Sequence, residues 1–231
     1  KLAEYSRQFT EEDGDDIMNG EDKYGLYVWD DSLLGMLEAA GTKVATVGAD
    51  GKISLTLYND NSVAVFNKYM DIACDNKYAL QYQRGVGGSN NDGKSYWQNN
   101  QGLFYTAMVG GMAKYREMEN DFGILPYPKW DEDSEYMNRS SNMTALTYIP
   151  VTNPDLELTG AVLEEMAFQS AKELTPVYFD TVLTVKSTRD VESEAMLPII
   201  KNNARFLYDR FYPSIYSMVG SGSNTFTSSI S

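Results

Sequence analysis

Residues 103–130, LFYTAMVGGMAKYREMENDFGILPYPKW, decide how the rest of the chain is read. The run over 103–108 is apolar and aromatic, long enough for one buried strand. Gly110 and Gly111 break it. Residues 112–119 then read as a short helix, with Met112, Tyr115 and Met118 three residues apart. A second run over 122–125 stops at Pro126 and Pro128, which lack the N–H that a central strand must donate. Strand, glycine turn, helix, strand is the unit of an α/β fold. Ligands in such folds sit at the carboxyl ends of strands. Gly110 and Gly111 fall at that place, where a backbone without Cβ atoms lets a ligand come close. The same pair also fits a plain turn.

Working outward, residues 2–9 carry Leu2, Tyr5 and Phe9 at helical spacing. Residues 24–28, YGLYV, form a strand candidate that ends at Trp29, Asp30 and Asp31. Ser32 caps a helix over 33–40, and Gly41 ends it. Residues 42–57 alternate as two short strands around a turn at 48–51. Asn59 or Asp60 caps an amphipathic helix to about residue 75, with Cys74 as a small core residue in it. Residues 84–100 and 129–141 are polar and read as loops. A strand over 144–149 ends at Pro150. Helices follow from Asp155 to about 174, on to about 183 beyond Pro176, and from Thr188 or Asp190 to about 204. A last helix, broken at Pro213, precedes an exposed tail. The expectation is one α/β lobe over residues 1–231. Its mixed sheet has four to five strands, near 24–28, 103–108, 122–126 and 144–149, with helices on both faces.

Composition narrows function by exclusion. A net charge of −14, from 33 acidic against 19 basic residues, opposes nucleic acid and anionic membrane surfaces, which need a positive face. No run approaches the roughly 20 apolar residues of a membrane span. The chain has no His, which removes the commonest general base and the commonest zinc ligand. A single Cys cannot form an intramolecular disulfide. The loop over 11–22, EEDGDDIMNGED, invites a calcium reading, but Asp13, Asp15 and Asn19 do not fall into an EF-hand register. It reads as a solvated acidic turn, and no metal or cofactor is expected. The aromatic content is high, with 17 Tyr, 9 Phe and 3 Trp, and such rings suit sugars and peptides as well as strands.

Six segments, in order, resemble the extracellular solute-binding proteins of ABC importers, in the carbohydrate-binding family of two-lobed lipoproteins. Asp22-Lys23-Tyr24-Gly25 after the acidic loop looks like the family's "D-x-YG" strand. Ala40-Gly41 with Asp50-Gly51-Lys52 resembles its "GA…DGK" hairpin. Gln101-Gly102-Leu103-Phe104 is similar to a "G-x-A-x-F" strand, and residues 121–129, DFGILPYPK, to a "G-x-x-P-x-PK" strand. Pro150 with Asn153-Pro154-Asp155 resembles an "I-P…P-E" step. Residues 181–193, with Lys186, Arg189 and Asp190, resemble a "K-x-x-R-D-x-E-S" segment. The likeness runs from about Tyr5 to near the C-terminus. It implies the second lobe of a type II periplasmic-binding-protein-like fold, with a first lobe and its lipid anchor absent here and further helix expected after Ser231.

The resemblance implies capture of a sugar or similar polar solute outside the cell by hinge closure, and delivery to ABC permease subunits, without catalysis. The expected ligand-binding residues are Trp29 and Asp30 after the first strand, Met108, Gly110 and Gly111 at the glycine turn, and Asn142 and Met143 entering the 144–149 strand. Trp29 also fits packing under the next helix. Tyr178 and Tyr82 are lesser candidates, and Trp97 and Trp130 fit either a rim or a cover over the core. Two other classes stay open. A glycosidase would need paired carboxylates, for which Asp30 is the fair candidate. A protein-interaction domain would use the Tyr-rich surface.

Overall fold

The computed structural model describes residues 1–28, 32–73, 77–81, 93–140, 147–185 and 189–205. Its centre is strand β1, Tyr24–Val28, buried at every position. Full burial follows from its place, because a parallel strand covered on both faces has no solvent side. The strands β4 (Ala79–Gln81) and β5 (Gly102–Tyr105) flank it, both parallel to it, in the order β4-β1-β5. Leu26 pairs with Ala79 on one side and with Phe104 on the other. The path from β1 to β4 runs through α2 (Ser32–Ala39), the antiparallel hairpin β2 (Ala45–Val47) and β3 (Ile53–Leu55), and α3 (Asp60–Ala73). The return to β5 runs through α4 (Gly93–Gln98).

Alternation along β1 sends neighbouring side chains to opposite faces. Leu26 and Val28 meet Leu37 of α2 and Val65, Tyr69 and Ala73 of α3. Tyr27, fully buried, meets Tyr24, Tyr96 of α4 and Tyr105. The first helix, α1 (Leu2–Phe9), lies directly on Gly25, where a Cβ would stand 2.1 Å from the Ser6 carbonyl oxygen. Asn59 Oδ1 accepts from the Ser62 N–H at 2.9 Å, the cap expected for α3.

From residue 156 on, the described residues are mostly helical. α5 (Leu156–Gln169) is capped by Asp155, whose carboxylate accepts from the Leu158 N–H, and it continues as wide π-type turns over Ser170–Leu174. A further π-type helix spans Val177–Val185, and α6 spans Val191–Asn202 with Asp190 as its cap. The short strands β6 (Asn138–Arg139) and β7 (Ala204–Arg205) pair in parallel. A buried ion pair ties β6 to α2, with Arg139 Nε 3.2 Å from Glu38 Oε2.

The α/β class, the first strand, the hairpin and the helices over 2–9, 32–39, 60–73, 156–185 and 191–202 agree with the sequence. The helix expected over 112–119 is a 3-10 helix over Val109–Tyr115, and the last one, broken at Pro213, lies outside the described residues. The sheet differs. It is three-stranded and parallel, with two separate two-stranded pairs, among the described residues. Residues 122–126 form no strand, because the Phe122 ring turns into an aromatic cluster and the Ile124 N–H is taken by Ser193 Oγ at 2.8 Å. The strand expected over 103–108 stops at Tyr105. Of the strand expected over 144–149, residues 147–149 are not extended into a ladder, and 144–146 lie outside the described residues. The loop expected over 84–100 holds α4, whose consecutive aromatics Tyr96 and Trp97 stack on Tyr27 and Tyr105. β6 likewise falls in a segment read as loop.

Candidate functional site at the ends of β1 and β5

Ligands of open parallel sheets sit at the carboxyl ends of the strands. At that end the exits of β1 and β5 are tied to each other. The Thr106 N–H donates to the Tyr27 carbonyl at 3.3 Å, and the hydroxyls of Thr106 and Ser32 lie 2.8 Å apart. The first residue of α2, the end of β1 and the loop after β5 therefore meet at one place.

Met108 emerges from that loop 59% exposed. Gly110 and Gly111 follow it, inside a 3-10 helix over Val109–Tyr115, rather than before a helix starting at Met112. The Gly111 N–H donates back to the Met108 carbonyl at 2.9 Å. Neither glycine has a positive φ, and a Cβ added to either would meet nothing within 4 Å. Turn geometry does not demand glycine here, and neither does packing. What remains is an uncovered stretch of backbone at the strand ends.

Trp29 and Asp30 stand in sequence between Val28 and Ser32, and both lie outside the described residues. Asn142 and Met143 lie outside them too, as do Tyr82 and Cys74. Of the expected site residues, the structure describes Met108, Gly110 and Gly111, which are neighbours in sequence just after β5. Tyr178 is 38% exposed against Phe179, and Trp130 is 40% exposed.

Below the glycine turn is an aromatic base that the sequence reading missed. Trp97 stacks on Tyr105 at 5.5 Å and meets Tyr115 and Phe122 edge-on at 5.4 and 5.5 Å. Trp97 is thus half-buried cover for the core. Met112, from the same 3-10 helix, packs on Leu183 and Leu197 instead. The signal was present in the sequence, as Met112 and Tyr115 three residues apart, but it could not say which neighbours each side chain would find. Deeper in the sheet, burial, with the Asp22 charge and Tyr96 adding to it, pushes the Tyr24 phenol up to about 12. The same forces push Tyr27 higher still, burial first and Tyr24 next.

Two other features fit a site less well. The carboxylates of Glu12, Asp13 and Asp15 have oxygens within 4.8 Å of one another. The loop already uses them on its own backbone. Glu12 Oε1 accepts from the N–H groups of Gly14, Asp15 and Asp16, and Asp15 Oδ1 from Ile17. The buried Asp22 accepts from Asp13 and Asn19. For Glu12, desolvation acts upward but the N–H groups outweigh it, so its carboxyl is held below the usual range. An open groove of about 390 Å³ runs beside α1, lined by Tyr5, Gln8, Phe9, Leu103 and Phe104. Gln8 and the Tyr5 hydroxyl are its polar side-chain groups, whereas binding sites gather several convergent polar groups. The strand ends are the better candidate.

No family model, no curated protein and no solved structure matches the chain.

Proposed function

We propose that this chain is one lobe of an extracellular solute-binding protein of an ABC importer, which holds a carbohydrate or similar polar solute and presents it to permease subunits. The observation that carries this reading is the Gly110–Gly111 backbone, open where a Cβ would stand, just past the carboxyl end of β5. A sugar hydroxyl needs polar groups it can reach; the Gly111 N–H is already given to the Met108 carbonyl, so what this backbone offers is carbonyl oxygen with a second lone pair. The six motifs in order support the same reading, including its type II lobe and its lipid-anchored parent.

A hydrolase would need one carboxyl held above its ordinary range as general acid, and product analysis separates it from a binder.

A panel of mono- and oligosaccharides, titrated well above millimolar and followed by product analysis, tests the reading. Binding of at least one sugar without cleavage is expected. Appearance of shorter products would overturn it in favour of a hydrolase, and absence of any binding would overturn the sugar reading.

A further inference from the structure

Arg189 stands immediately before Asp190, the cap of α6, and its guanidinium gathers one loop that lies 69 positions earlier at Asn120. Nη1 donates to the Asn120 carbonyl at 2.9 Å and to Asp121 Oδ1 at 3.1 Å. Nη2 donates to the carbonyls of Arg116 at 3.0 Å and Met118 at 2.5 Å. The same group lies 5.4 Å from the centre of the Phe122 ring. Three main-chain carbonyls, one carboxylate and one aromatic face all belong to residues 116–122, the segment that leaves the glycine-bearing 3-10 helix.

The geometry asks for arginine. Carbonyls spread over five residues are bridged at once by a planar fork of N–H donors, which the single ammonium of lysine does not reproduce. The carboxylate contributes least, since Asp121 is 89% exposed and exposed ion pairs are weak. Hydrogen bonds from a charged donor to main-chain carbonyls, those of Asn120 and Met118 half-buried, carry the contact. One residue further on, Asp190 and Ser193 repeat the attachment, with Ser193 Oγ accepting from Ile124.

The glycine turn is consequently held from three directions. Tyr115 fixes it to the aromatic base on the sheet, Met112 to Leu183 and Leu197, and the exit loop to Arg189. We propose that Arg189 is the positioning residue of the candidate site. It keeps the Gly110–Gly111 backbone in place by latching the loop that follows it. Its part in recognition rests on the solute-binding reading above; the latch itself does not.

Amide hydrogen exchange on Arg189→Lys and Arg189→Gln, beside thermal melts and titration with a sugar bound by the wild-type chain, tests this. The amides of Gly111 and Met118, bonded to the carbonyls of Met108 and Tyr115, are the reporters. Losing the guanidinium should speed their exchange about tenfold or more while β1 stays protected. Sugar affinity should fall by a similar factor, and Asp121→Ala should change neither. Unchanged exchange in both variants overturns the latch. Faster exchange with unaltered affinity overturns the positioning role. A melt that collapses throughout in both variants makes Arg189 a residue of general stability and overturns the proposal. A wild-type chain that binds no sugar overturns the solute-binding reading and Arg189's part in it, while the exchange data still decide the latch.

Discussion

Three glycines separate what packing demands from what it leaves open. At Gly25 a Cβ would strike the Ser6 backbone at 2.1 Å, and α1 cannot retreat without uncovering β1. Gly25→Ala should therefore cost about 1–3 kcal/mol, the usual scale of overpacking. Gly110→Ala and Gly111→Ala meet open space at ordinary φ and should leave the melting temperature unchanged or raise stability by up to about 1 kcal/mol. Weaker sugar binding by the second pair, with that unchanged melt, would mark the backbone as contact surface. A drop in their melting temperature would return both residues to structure. Tyr24 gives a pH test. Its phenol rises from 10.0 to about 12 in the folded chain, so between those values the unfolded chain loses the proton and the folded chain keeps it. Below pH 10 this contribution is fully present; it is lost as pH rises toward about 12. Denaturant melts should fall across that window, and less steeply in Tyr24→Phe.

At the scale of elements, what local sequence determines was legible and what distant contacts determine was not. The caps at Asn59, Asp155 and Asp190 act within three residues of themselves, and each marks its helix start. The hairpin around residues 48–51 is equally local. Residues 122–126 look like a strand by run length, but a strand needs a neighbour for its N–H groups, and Ile124 finds Ser193, 69 positions away. The glycine turn is similar. Its place after β5 could be read, yet its support by Trp97, Met112 and Arg189 depends on tertiary partners. The Ser193 contact yields a prediction for α6. Ser193 is 2% exposed and accepts from Ile124 while donating to Asp190. Ser193→Ala leaves the Ile124 N–H without that acceptor and should cost about 1–3 kcal/mol in a urea melt. Asp190→Asn should flatten the acid limb. The carboxyl is held below its ordinary 3.8, chiefly by the Ser193 hydroxyl and then its N–H, so its stabilisation is present above that value and lost as pH falls below it.

For the whole molecule, the proposed two-lobe parent sets a limit on what this chain does alone. A solute gripped from two sides draws only part of its contacts from each lobe. An intact protein with micromolar affinity has about −8 kcal/mol of binding free energy. Half of that energy leaves an affinity near millimolar on the same scale, about −4 kcal/mol. The chain over residues 1–231 should therefore melt cooperatively yet bind its best sugar at about millimolar or weaker. Trp29 supplies the control. It follows Val28 in sequence, and an indole stacked on a sugar ring would carry much of a single lobe's contact. Trp29→Ala should remove the residual binding and leave the melt in place. Titration calorimetry and thermal melts on both forms decide between the readings. Micromolar binding by the wild-type chain would mean that one lobe holds the complete site, and the two-sided grip would fall. A Trp29→Ala chain that does not fold would instead place the indole under α2, where it packs without touching a ligand.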